Sequence, residues 1–97
     1  MNTQICAAIK SRAVVEFYYD DGKRRAEPHC HGISMAGKEV LRAYQTAGFS
    51  ESGQPVGWKL FEVTKIIGFR QTGATFQNNR HEYNPNDRGM ERIHCRV

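Results

Sequence analysis

The chain is 97 residues long, 39% hydrophobic and 25% charged, with a formal net charge of +4 and a sequence pI near 9.2. That length suits one domain around one core, so residues 1–97 are expected to form a single unit, and the composition argues against disorder. No apolar run approaches the roughly 18 residues of a membrane-spanning helix, and the modest basic excess favours an anionic partner only mildly.

The opening MNTQICAAIK lacks the leader pattern of a secretory signal, so a cytoplasmic location is expected. Ile5, Ala8 and Ile9 at helical spacing, behind Asn2 or Thr3 as a cap, predict a short helix over residues 3–10. Cys6, Cys30 and Cys95 are odd in number, widely spaced and free of any CxxC pair, which predicts reduced thiols. AVVEFYY, rich in β-branched and aromatic residues, predicts a first strand, and Asp20-Asp21-Gly22-Lys23 predicts the turn after it.

RRAEPHCHGISM reads as the second strand, with Pro28 demanding an edge, a bulge or a bend. EVLRAYQ is the third. GFSESGQPVG, residues 48–57, is a long flexible connection, and WKLFEVTKIIGF returns as the fourth strand, bending or ending near Gly68. Beyond Gln71 the chain is polar and turn-rich and predicts an irregular excursion, closed by a fifth strand in MERIHCRV that buries Ile93, Cys95 and Val97. Five short strands and one short helix predict a mainly β protein, a small, strongly bent antiparallel barrel, with an open α+β sheet as the competing architecture.

EPHCHG, residues 27–32, concentrates metal-ligand chemistry. In a regular strand Glu27, His29 and His31 face one side and Pro28 and Cys30 the other. A metal site using all of them is therefore not expected. Two strand histidines sharing an ion with a carboxylate would need further ligands from His81, His94 or Cys95. A His–Cys catalytic pair is disfavoured because neighbouring strand residues face apart. The expectation is Cys30 in the core, His31 on the surface and His29 bordering a pocket.

Taken in order, AAIKSRAVVEFYY, RRAEPH, GKEVLRAYQ and WKLFEVTKI resemble the WYL domain, over about residues 5–68, leaving residues 69–97 as excursion and closing strand. The tripeptide that names that family falls on Glu39-Val40-Leu41, and Lys59 stands where the family tends to have arginine. The resemblance implies an SH3-like β-barrel of the kind found in bacterial transcription regulators, without their usual helix-turn-helix, binding nucleic acid or nucleotide-like ligands. Carried over by residue, it points to Arg42, Tyr44 and Lys59, with Arg25 and His29 beside them.

The residues themselves add Trp58 as a stacking face and Ser52 as a polar rim on the 48–57 loop. Strand alternation places Arg42 and Tyr44 together, with Trp58 and Lys59 facing apart from one another. Arg80, Arg88, Arg92 and Arg96, with Tyr83, would extend a phosphate-tracking surface. The expected function is a non-enzymatic ligand-binding or regulatory module without a cofactor. Its ligand is a nucleotide, a signalling oligonucleotide or single-stranded nucleic acid, and it acts alone, as a homo-oligomer, or docked on an effector protein. The alternatives are a protein–protein interaction module and a metal-binding protein built on EPHCHG.

Overall fold

A computed structural model describes residues 2–20 and 22–97 of the protein. The elements run α1 (Asn2–Lys10), β1 (Ala13–Tyr19), β2 (Gly22–Ser34), β3 (Glu39–Gly48), β4 (Gly57–Glu62), a 3-10 turn (Val63–Lys65), β5 (Ile67–Thr75) and β6 (Met90–Arg96). No helix among them is long and apolar enough to cross a membrane.

The predicted helix forms as α1, and Ile5, Ala8 and Ile9 are its fully buried stripe. The expected cap falls at the helix start, where Met1 and the Asn2 side chain lie outside the described residues. Asp21 of the predicted turn after β1 lies outside them too, while Asp20 takes φ 52°, a left-handed conformation that aspartate tolerates better than most residues.

Six antiparallel strands form one sheet in the order β4-β3-β2-β1-β5, with β6 added on β2. β2 organises it. Along one side it pairs with β3; along the other it pairs first with β1, from Gly22↔Tyr19 to Ala26↔Val15, and then with β6, from Cys30↔Arg96 to Ser34↔Met90. The change of partner coincides with a register shift between Pro28 and Cys30, so the bulge or bend that Pro28 demands is present.

Two of the expectations for the sheet are corrected. The predicted fourth strand is two strands, because Val63 and Ile66 are buried three residues apart, a spacing that suits the 3-10 turn rather than the two-residue period of a strand. That turn carries the chain from the β3 edge of the sheet to the β1 edge, so β4 and β5 end on opposite flanks. Among the described residues no pairing joins β4 to β5, and the sheet is bent but is not a closed barrel.

Both faces are covered. On one, Phe17, Leu41, Ala43 and Phe61 pack with the α1 stripe, and the Phe17 and Phe61 rings meet edge to face at 4.9 Å. On the other, Cys30, Val40 and Met90 form a smaller cluster with Tyr83 and Ile93. Tyr83 comes from the irregular segment between β5 and β6, which lies over this second face.

Candidate functional site

Arg42 and Tyr44 share the second face of β3, as their spacing predicts. The β3–β4 register sets Tyr44 opposite Trp58 and Arg42 opposite Leu60, so Trp58 joins the same face. Lys59 pairs with Ala43 and is on the other side. The Tyr44 and Trp58 rings meet at 90° with centroids 5.5 Å apart.

The segment between β5 and β6 is tied onto this face by polar clasps. Arg80 holds Glu27 through both carboxylate oxygens, at 2.7 and 2.9 Å, and its guanidinium lies 4.5 Å from the centre of the Tyr44 ring. The Trp58 Nε1–H donates to the His81 carbonyl at 3.0 Å. Arg42 binds Asp87 through Nε and Nη2, at 2.7 and 3.2 Å, and the Gly89 N–H donates to Asp87 Oδ1 at 2.8 Å. Burial pushes the Asp87 carboxyl up, and the Arg42 and Gly89 donors outweigh it, holding the group below its ordinary value.

His29 is the hub beneath these clasps. It is fully buried, with its ring 4.8 Å from that of Trp58, 5.1 Å from Phe76 and 5.1 Å from Tyr83. The Arg80 N–H donates to its Nε2 at 3.1 Å, and that partner assigns the proton to Nδ1, which donates to the Glu27 carbonyl at 2.8 Å. Burial lowers its pKa against the opposing pull of that carbonyl and of the Glu27 carboxylate. His29 thus lies under a pocket wall, where the sequence expected it on the border.

Beside the second half of the segment lies a cleft of ≈ 300 Å³. Trp58 and Tyr83, their rings 6.0 Å apart and inclined by 24°, form its aromatic side, while Arg42, Arg88, Glu82, Asn84 and Asp87 line the polar side. The Tyr83 phenol is pushed up to about 12, by burial first and then by the nearby Cys30, so this wall is uncharged at physiological pH.

Of the predicted binding residues, Arg42 and Trp58 line this cleft, while Tyr44 and His29 pack against Trp58 without lining it. Lys59 and Ser52 do not join them. The Lys59 ammonium donates to Ser50 Oγ at 3.1 Å, Ser52 Oγ at 3.4 Å and the Gln54 carbonyl at 2.6 Å, and so holds the 48–57 loop together. Arg25 is engaged with Glu16 of β1 at 3.0 Å. Tyr83, Arg80 and Arg88 appeared in the sequence only as part of a diffuse basic tail, and Asp87 did not stand out at all. The signal was NPND: the Asn84 side chain accepts the Asn86 N–H at 2.9 Å, a turn that delivers Asp87 to Arg42.

EPHCHG divides differently from a regular strand. The register shift after Pro28 puts Cys30 on the same face as Glu27 and His29, with its Sγ 3.5 Å from Met90 Sδ, and turns His31 to the opposite face. Cys30 is core, as expected, and burial first, then Asp87, push its thiol up to about 11. His31, expected on the surface, is fully buried. Its Nε2 donates to Glu39 Oε2 at 2.6 Å, and its Nδ1 lies 3.7 Å from the Sγ atoms of both Cys6 and Cys95.

Those two cysteines overturn the expectation of reduced thiols, because Cys6 and Cys95 form a disulfide across a sequence separation of 89. Wide spacing was no obstacle. α1 packs against β6, and that brings the two Cα atoms to 5.8 Å, within the range a disulfide spans.

Fold and site together define a small, mainly β protein with a cleft lined by aromatic rings, guanidinium groups and carboxylates. Comparison with family models, with curated proteins and with solved structures gives no match for this chain.

Proposed function

We propose that the protein is a non-enzymatic ligand-binding module whose cleft takes a planar base carrying a phosphate, as a nucleotide, a signalling oligonucleotide or a single-stranded nucleic acid. One observation carries this reading: an aromatic side from Trp58 and Tyr83 adjoins the exposed guanidinium of Arg88 in a cleft of ≈ 300 Å³, whose polar side also holds the Arg42–Asp87 pair and Glu82. Such volumes lie at the lower end of small-molecule sites, about 300 to 1,000 Å³. Base stacking on an aromatic side chain is worth about 1 to 3 kcal/mol and tolerates any base, while guanidinium suits phosphate. Arg42 is already neutralised by Asp87, so its part is to shape the wall. Arg88 is exposed and, among the described residues, has no ion-pair partner, which makes it the phosphate contact.

The WYL resemblance of residues 5–68 points the same way, toward a ligand sensor that acts on transcription through an attached or docked effector in the cytoplasm. In this reading the bent sheet, with its 3-10 turn between β4 and β5, is an incompletely closed barrel of SH3-like kind.

The test is thermal unfolding at low salt against a panel of nucleotides and short oligonucleotides. A ligand at about 100 times its Kd adds about 2.7 kcal/mol, or about 10 to 20 °C in Tm for a domain this size. Arg88→Ala should abolish the shift while leaving the unliganded Tm unchanged. A panel that produces no shift overturns the proposal.

A second reading rests on the sheet edges. β4 and β5 are both terminal strands, and Leu60 (40% exposed) and Ile67 (69%) on them face solvent, a surface suited to pairing with another protein or a second copy of the chain. Stoichiometric co-purification of one protein, resistant to nuclease and high salt, would favour it over the cleft.

A further inference from the structure

On the face of the sheet opposite the cleft, three donors with metal-ligand chemistry meet from three elements: Cys6 on α1, His31 on β2 and Cys95 on β6. Their ligand atoms all lie within 4.8 Å of one another. We propose that, once the Cys6–Cys95 disulfide is reduced, these residues form a three-ligand site for a thiophilic divalent cation of the zinc class, with Glu39 orienting the histidine from behind.

The distances in the oxidised form are compatible with such a site. Zinc holds cysteine sulfur at about 2.3 Å and histidine nitrogen at about 2.0 to 2.1 Å, so a tetrahedral ion separates sulfur from nitrogen by about 3.6 Å. His31 Nδ1 is 3.7 Å from the Cys6 sulfur and 3.7 Å from the Cys95 sulfur. Two of the three edges of the ligand triangle already have the required length. The third is the sulfur–sulfur edge, which the covalent bond now holds short and which reduction releases.

The imidazole is prepared for the role. Its Nε2 proton goes to Glu39 at 2.6 Å, which leaves the Nδ1 lone pair directed at the sulfurs. A histidine ligand whose second nitrogen is held by a carboxylate is the recurrent outer-sphere arrangement of zinc sites. The His94 ring, 5.2 Å from that of His31, further limits its rotation. Nitrogen and thiolate donors select zinc-class ions over magnesium or calcium, and two thiolates cancel the charge of one divalent ion. Cys6 and Cys95 are half-buried rather than enclosed, so a reductant reaches the disulfide from solvent and a fourth coordination position stays open to water or an exogenous ligand.

The chemistry balances in two steps. An external dithiol gives two electrons and two protons to the Cys6–Cys95 bond, yielding two thiols, and leaves as its own disulfide. The cation then binds both sulfurs as thiolates and His31 through Nδ1, and two protons pass to solvent. Disulfide and metal exclude each other, so the redox state of the pair decides whether the site exists. None of this depends on the ligand proposed for the cleft, which lies on the other face.

The experiment uses the full chain, reduced anaerobically with a phosphine, which does not sequester metal as a dithiol does, and titrated with Co²⁺. The expected result is a thiolate-to-cobalt charge-transfer band with the intense visible bands of a tetrahedral site, saturating at one equivalent and erased by Zn²⁺. The oxidised chain should show none of these bands. Cys30→Ala should leave the band intact, and His31→Ala should remove the tight binding. Glu39→Gln keeps a hydrogen-bond acceptor for Nε2 and so preserves the fold, yet should weaken binding about 10- to 100-fold, the usual cost of losing an outer-sphere carboxylate. Absence of the band in the reduced chain overturns the proposal, as does a band that survives Cys6→Ser with Cys95→Ser. An affinity unchanged in both His31→Ala and Glu39→Gln also overturns it, since the sulfurs would then be binding without the built site.

Discussion

Asp87 shows how one short side chain organises a surface. It is buried, takes two guanidinium donors from Arg42 and one N–H from Gly89, and so fixes both the wall of the cleft and the end of the irregular segment. Asp87→Asn weakens the charge-assisted pair and is expected to cost about 1 to 3 kcal/mol, measured by urea unfolding. The pH dependence follows in sign. Because the folded carboxyl is held below its unfolded value, its stabilising contribution is complete above about pH 4 and is lost as the pH falls through the lowered native value. In Asp87→Asn that part of the acid-side slope should vanish, and an unchanged slope would show that the pair contributes nothing. Arg24 illustrates the opposite case, a charge buried without a full carboxylate partner. Its guanidinium lies 5.4 Å from the Tyr19 ring, 5.3 Å from Phe49 and 5.6 Å from Phe61, and bonds the buried Gln45 at 3.1 Å.

At the scale of the element, β2 decides the molecule by changing partners partway along its length. Its second half needs β6 close, and Gly32 permits this: a Cβ there would lie 2.0 Å from the Arg92 carbonyl oxygen. Backbone cannot yield as a flexible side chain would. Gly32→Ala is expected to push β6 from the sheet, lowering stability by about 1 to 3 kcal/mol and Tm by about 4 to 8 °C for each kcal/mol. Faster amide exchange across residues 90–96 would mark the effect as local to that strand, and unaltered protection there would contradict the close-approach argument. Since β6 also carries Cys95, the same change should raise the reactivity of the disulfide toward a phosphine.

At the scale of the whole molecule, the disulfide ties α1 to the last strand and closes nearly the full chain into a loop, with a sequence separation of 89. In the chain-entropy description a loop of that length contributes about 4 to 5 kcal/mol, a large share of the stability of a small domain. Reduction without metal should therefore lower Tm by about 15 to 40 °C, read by far-UV circular dichroism. A shift of only a degree or two would mean that packing alone holds α1 on the sheet. In the oxidised native protein Cys30 should resist alkylation at pH 8, because its buried thiol is pushed up to about 11.

Much of the fold was legible in the sequence because its causes are local. Alternation in AVVEFYY and EVLRAYQ, the helical stripe of Ile5, Ala8 and Ile9, and the break at Pro28 each reflect neighbours a few residues apart, and the structure has strands, helix and bulge there. The grouping of Arg42 with Tyr44 followed from the same two-residue period. Tertiary structure alone decided the rest. The extra residue at the bulge reversed the outlook of His31, the β3–β4 register brought Trp58 onto the Arg42 face, and the packing of α1 against β6 joined Cys6 to Cys95. Periodicity is set by backbone geometry within one element. Register, a one-residue bulge and the meeting of distant cysteines depend on which contacts across the chain bury the most surface, and those contacts exist only when the whole chain has folded.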